Sequence, residues 1–110
     1  MPFSIRPFRR FPVHCSVTYN AGRFQGQGAV WNLSVNGWRL SGDLPMRPGE
    51  TLSMTVTLPN EQRIVVPEAV VRWSRGPEFA VENLVIKPHT RARLQHYVIR
   101  LVQQPAEIIP

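Results

Sequence analysis

From Phe11 to Tyr19 apolar and polar residues alternate without a break: Phe11, Val13, Cys15, Val17 and Tyr19 are separated by Pro12, His14, Ser16 and Thr18. The pattern returns from Thr51 to Leu58, where Leu52, Met54, Val56 and Leu58 interleave with Thr51, Ser53, Thr55 and Thr57. Successive side chains of a strand point to opposite faces, so each run predicts a strand with one buried and one solvated face. Between and after these runs the chain is punctuated. Asn20-Ala21-Gly22 turns it, and Phe24 to Trp31 reads as a second strand in which Gly26 and Gly28 predict a bulge or a bend. Trp38 to Leu40 is a third strand, followed by an irregular loop from Asp43 to Glu50 around Pro45, Pro48 and Gly49. Pro59-Asn60-Glu61 forms the next hairpin. Arg63 to Trp73 is a fifth strand, bent or bulged where Pro67 lacks a ladder donor. After Arg75-Gly76-Pro77, Glu78 to Leu84 is the sixth. Short strands so evenly spaced point to a sandwich or a small closed barrel.

The period changes near the carboxy terminus. Leu94, Tyr97, Val98, Leu101 and Val102 fall at three- and four-residue spacings, with Arg91, Arg93, Gln95, His96 and Arg100 on the opposite face. One amphipathic helix is predicted over about 89–103, capped by Thr90 and ended by Pro105, with 105–110 as a tail. Residues 1–10 carry two prolines, three arginines and no periodicity, and read as a flexible arm before a single unit over 11–104.

Charge narrows the function. The net charge is +6, and Arg6, Arg9, Arg10, Arg23 and Arg39 all precede the first acidic residue, Asp43. Lys87 is the one lysine. Arginine suits bidentate phosphate contacts and stacking on flat rings, so the partner is expected to be phosphorylated or otherwise anionic. The single Cys15 excludes an intramolecular disulfide, and no apolar run is long enough for a membrane span or a signal segment, so a cytoplasmic location is expected. His14 and Cys15 are adjacent and face apart on a strand, and His89 and His96 have no third ligand, so no metal site is expected. No paired carboxylates, nucleophile with base, or phosphate loop is present, so neither catalysis nor a cofactor is expected.

Between the second and third strands lies Asn32-Leu33-Ser34-Val35-Asn36-Gly37. Asn36-Gly37 predicts a tight hairpin with positive φ. Asn32 and Ser34, two positions apart, face the same side of a strand end and offer an amide and a hydroxyl to the edge of a planar base. Trp31 and Trp38 flank this turn and are positioned for a cross-strand aromatic pair.

Arg6-Pro7-Phe8-Arg9-Arg10, followed by Phe11-Pro12-Val13, resembles the arginine, three residues, arginine motif that opens PilZ domains. Asn32 to Gly37 resembles that family's second motif: aspartate or asparagine, any residue, serine, two of any, glycine. Ala69 to Trp73 and Glu78 to Glu82 resemble its closing strands, so the likeness covers nearly the whole chain. It implies a six-stranded antiparallel β-barrel of the split-barrel type with one carboxy-terminal α-helix, and a receptor for the bacterial second messenger cyclic-di-GMP. Arg6 and Arg10 would then take phosphate and guanine contacts from the arm, while Asn32, Ser34 and Gly37 hold the other guanine from the barrel. Arg9, Asn36 and Trp73 are auxiliary candidates; Trp73 matches a tryptophan near the ligand in some relatives, although on a barrel strand it also reads as core. Asn32 stands where many members have aspartate, and Ala80 where glycine is common. With Ile5 rather than a basic residue before Arg6, one ligand rather than a stacked pair is expected, and a downstream protein partner is implied. Two other readings use the same residues: a small basic β-barrel that binds RNA or single-stranded DNA, with the tryptophans as stacking platforms, and a PilZ-like scaffold that binds no nucleotide.

Overall fold

The computed structural model describes residues 11–103, so Arg6, Arg9 and Arg10, and the tail from 104, lie outside the described residues. Within them run β1 (Phe11–Ala21), β2 (Phe24–Leu33), β3 (Gly37–Gly42), β4 (Thr51–Thr57), β5 (Arg63–Arg75), β6 (Glu78–Val85) and α1 (Pro88–Gln103). The strands form a closed antiparallel barrel in the order β1-β2-β3-β6-β5-β4, with β4 pairing back onto β1. No strand edge is left open, which removes the main aggregation hazard of a small all-β unit.

The alternating runs fill the interior as their period requires. Cys15, Val17 and Tyr19 of β1 and Leu52, Met54 and Val56 of β4 are buried with Leu40, Ile64, Val66 and Phe79. The Tyr19 and Phe79 rings meet edge to face at 5.3 Å. The Tyr19 hydroxyl donates to the Leu44 carbonyl at 2.7 Å and accepts the Leu44 N–H at 3.0 Å, so the one polar atom of this core ring ties the loop after β3 to the barrel.

Pro67 acts as predicted. Leu52 pairs with Ala69 and Met54 with Val66, so Pro67 and Glu68 together oppose Ser53 and the ladder loses its register there. Gly26 and Gly28 do not make a bulge. Their register with β1 is unbroken, and a Cβ at Gly26 would lie 2.5 Å from the Tyr19 ring. The glycine there lets the ring lie flat under the strand.

The helix starts earlier than predicted. Pro88 takes the first helical position, where its missing N–H would be unpaired in any case, and Arg91 N–H donates to the Lys87 carbonyl at 2.8 Å. Thr90 is therefore inside the first turn rather than a cap. Leu94 and Val98 enter the barrel core, while Arg93 Nη2 donates to the Arg63 carbonyl at 3.0 Å. The helix thus lies over the end of the barrel where β1, β3 and β5 begin. Among the described residues no helix is long and apolar enough to cross a membrane.

Candidate functional site on the outer wall beside the 34–37 turn

The Asn32–Gly37 stretch does not use the positive-φ turn that Asn-Gly predicts. Among the described glycines only Gly22, Gly49 and Gly76 have positive φ, and Asn36 does not. Gly37 is instead the first residue of β3, and a Cβ there would sit 2.6 Å from the Val81 carbonyl of the neighbouring strand. Close approach, not backbone handedness, requires the glycine. Ser34 closes the turn: its N–H donates to the Gly37 carbonyl at 2.9 Å, and its Oγ accepts the Gly37 N–H at 3.2 Å. Ser34 is only 3% exposed, so its hydroxyl shapes the turn rather than facing outward beside Asn32. From the far side Asn83 N–H donates to the Asn36 carbonyl at 2.8 Å, and Asn83 Oδ1 accepts the Trp38 indole N–H at 2.9 Å.

Trp38 is fully buried and pairs with Leu33, so the expected Trp31–Trp38 pair does not form. The reason is a bulge. Val30 pairs with Leu40 and Asn32 with Arg39, leaving Trp31 as an extra residue on β2. Val30 and Leu33, three apart, both point inward, so Trp31 and Asn32 both lie outside. A second bulge does the same on β5. Val71 pairs with Val81 and Trp73 with Ala80, and the extra Arg72 moves Trp73 out of the core to a half-buried place on the outer wall.

These two irregularities build one lateral row. Pro12 pairs with Asn32, Asn32 with Arg39, Arg39 with Ala80 and Ala80 with Trp73, across β1, β2, β3, β6 and β5. The Arg39 guanidinium carbon lies 4.5 Å from the centre of the Trp31 ring and 4.8 Å from that of Trp73. Ala80, 4% exposed although it faces outward, lies beneath this bridge. Its methyl group is small enough for Arg39 to reach across one strand to Trp73, a gap of about 5 Å per strand.

Buried polar atoms without a partner are found at the same place. Asn32 Oδ1 and Arg39 Nε are buried on this wall and make no hydrogen bond among the described residues, whereas the other such atoms, Asn83 Nδ2 and Arg93 Nε, lie away from it, Asn83 being held on the inner face by Trp38. Asn32 and Arg39 are cross-strand partners, so an unmet acceptor and an unmet donor stand side by side. Such groups normally mark strain or a missing partner. Arg39 was not legible as a site residue in the sequence, because nothing there revealed the bulges that turn the tryptophans toward it.

Comparison with known proteins fits this geometry. Residues 4–100 match the model of the PilZ domain. The chain belongs to the PilZ domain family. PilZ domains are regulatory receptors of the cyclic-di-GMP receptor family. The structure of the Bacillus subtilis inhibitor of motility, MotI/DgrA, superimposes with a TM-score of 0.77 at 23% identity, covering 93% of this chain and 54% of that one. This chain therefore spans about half the length of that protein. The PilZ domain of CeSA from a cellulose-synthesizing bacterium superimposes with a TM-score of 0.66 at 13% identity, covering 86% of this chain and 99% of that domain. No curated protein matches by sequence. In this PilZ domain the second motif is the β2–β3 turn itself. The first, Arg6 to Arg10, precedes Phe11, which pairs with Leu33 at the same end of the barrel.

Proposed function

We propose that this PilZ domain binds cyclic-di-GMP on the outer wall beside the 34–37 turn and acts as an effector of that messenger in the bacterial cytoplasm. Arg6 and Arg10, with Arg9 as auxiliary charge, supply phosphate and guanine contacts from the arm. Asn32 faces a guanine edge, and Ser34, Asn36 and Gly37 hold the turn that presents it. The observation that carries this reading is the adjacent pair of unmet groups, Asn32 Oδ1 as acceptor and Arg39 Nε–H as donor. Guanine offers N–H donors on one edge and the O6 and N7 acceptors on another, a pattern this pair complements.

Calorimetric titration tests it. Wild-type protein is expected to bind cyclic-di-GMP with a dissociation constant in the micromolar range or tighter and with one ligand per chain, and Arg10→Ala to weaken binding at least tenfold without unfolding the barrel. An unchanged constant in folded Arg10→Ala refutes the assignment. Tighter binding of a random oligonucleotide with a steep salt dependence would favour the nucleic-acid reading instead.

Binding orders the arm over the ligand and alters the surface offered to a protein partner. Fixing about five arm residues costs roughly 5–10 kcal/mol, and each hydrogen bond to a charged group returns about 1.5–3 kcal/mol. Three or four arm contacts only just cover that cost, so the arm closes only when the barrel holds the ligand as well. Amide exchange in residues 1–10 is expected to slow on saturation, and unchanged exchange rules the closure out.

A further inference from the structure

Beyond Arg39 and Trp73 the outer wall opens into a cleft of about 410 Å³ lined by Arg39, Trp73, Ser74, Arg75 and Glu78. Glu78 pairs with Ser41 on one side and Arg75 on the other, two rungs along from the Arg39–Ala80–Trp73 row. Ala80 and Glu78 are two apart on β6 and share its outer face, so Glu78 sets an anion on the same side as the Arg39–Trp73 bridge. Arg75 and Glu78 are opposite each other across the β5–β6 hairpin yet form no ion pair. The ion pair present among the described residues is that of Arg72 with Glu82, at 2.7 Å. The cleft therefore holds one uncommitted carboxylate, two guanidinium groups and one indole face.

Trp73 is already a ligand-side candidate by the family resemblance; we infer that Glu78 and Arg75, which neither motif includes, make this cleft selective for guanine by reading the edges of the base. A guanine presents N1–H and the N2 amino group along one edge, where a carboxylate accepts both, and O6 and N7 along another, where arginine donates to both. Adenine has the opposite pattern. Its N1 is an acceptor that would face the Glu78 carboxylate, and its amino group is a donor that would face arginine. Aromatic stacking alone tolerates either base, so Glu78 and Arg75 carry the discrimination. The inference rests on the proposed binding of cyclic-di-GMP, with one guanine at Asn32 and the second here.

The test compares cyclic-di-GMP and cyclic-di-AMP, each titrated into wild type, Glu78→Gln and Arg75→Ala, with thermal melts to confirm that the substitutions leave the barrel folded. Glu78→Gln is expected to weaken cyclic-di-GMP roughly 10- to 100-fold, the effect of one charge-assisted contact. It also lowers the preference for cyclic-di-GMP over cyclic-di-AMP at least tenfold, because Gln can turn its amide toward adenine N1. Arg75→Ala is expected to weaken cyclic-di-GMP at least fivefold. A merely structural role would weaken both ligands alike and leave the preference unchanged. Wild-type binding of cyclic-di-GMP with constants and preference unchanged in both variants overturns the subsite and leaves the receptor reading standing. Absence of any wild-type binding overturns both.

Discussion

Arg39 is poised between two opposing effects of similar size, and replacing it with methionine separates them. Each indole lies within 5 Å of the guanidinium carbon, at 4.5 and 4.8 Å. A cation over an aromatic face contributes about 0.5–1 kcal/mol in the open and about 2 kcal/mol when desolvated, so two faces give about 1–4 kcal/mol. Against this, Nε–H is buried without a partner among the described residues, and an unmet buried donor costs about 1–3 kcal/mol. Methionine keeps the apolar stem between the rings while removing both the charge and the unmet donor. The unfolding free energy of Arg39→Met is therefore expected to lie within about 1 kcal/mol of wild type. Urea denaturation followed by tryptophan fluorescence measures it, provided the slope with denaturant is unchanged. The ring contribution is recovered from a double-mutant cycle with Trp73→Leu, in which a coupling of about 0.5–2 kcal/mol is expected. A loss above about 3 kcal/mol in Arg39→Met would make this arginine a structural keystone. A coupling of zero would mean that the rings are neighbours without energetic consequence. Cyclic-di-GMP affinity is expected to fall in Arg39→Met despite its near-native stability, because the donor that the ligand satisfies is gone.

Three further outcomes follow from individual contacts. Tyr19→Phe removes the hydroxyl that donates to and accepts from Leu44, leaving two backbone groups unmet, and is expected to lower stability by about 2–4 kcal/mol in the same denaturation assay. Gly37→Ala places a Cβ 2.6 Å from the Val81 carbonyl; parting β3 from β6 is expected to cost about 1–3 kcal/mol and to weaken cyclic-di-GMP binding with it. Burial pushes the Cys15 thiol from 9.0 up to about 11. The native state then keeps a proton that the unfolded chain loses, so Cys15 contributes full stability below about pH 9 and loses it as pH rises toward 11. The loss approaches about 2–3 kcal/mol, and chemical denaturation of Cys15→Ala over pH 8–11 is expected to lack that component.

The strands were legible wherever the side-chain period was unbroken. β4 follows from simple alternation, as does β1 from Cys15 to Tyr19 beyond a bulge at Val13 and His14, and Pro67 announces its own bulge because a residue without an N–H cannot complete a ladder. The wall that carries the candidate site was not legible, since its two decisive bulges occur at Trp31 and Arg72, residues without glycine or proline to mark them. Strict alternation through Val71 puts Trp73 in the core, and strict alternation back from Leu33 puts Trp31 there as well. One added residue per strand reverses both assignments. Ser34 was legible as important but not in its role: the turn's need to satisfy Gly37 N–H outweighs presentation of the hydroxyl to solvent. Gly37 was found for the wrong reason, because the closeness of the Val81 carbonyl depends on β6 as a neighbour, and the pairing of β3 with β6 is fixed by the closed topology.

The interior of this barrel also explains why recognition is expected to need two walls. Trp38, Tyr19, Phe79, Leu40 and Met54 are all within 1% of complete burial and occupy the space a wider barrel would give to a ligand. The dinucleotide of the proposed function would therefore meet the outside of the cylinder, where a convex surface cannot surround it. The bulges compensate in part by raising Trp31 and Trp73 above the wall around Arg39, which makes a raised rim where a regular sheet would be smooth. A rim leaves one face of the ligand in water, and a ligand with two phosphates needs cations on that face. Asn32 and the 34–37 turn stand at the end of the barrel where Phe11 enters β1. In the proposed binding mode the arginines of the first motif therefore act from before the first strand rather than from the barrel. Three arginines placed at successive positions along β1 would point partly inward by alternation, into a core that has no room for them.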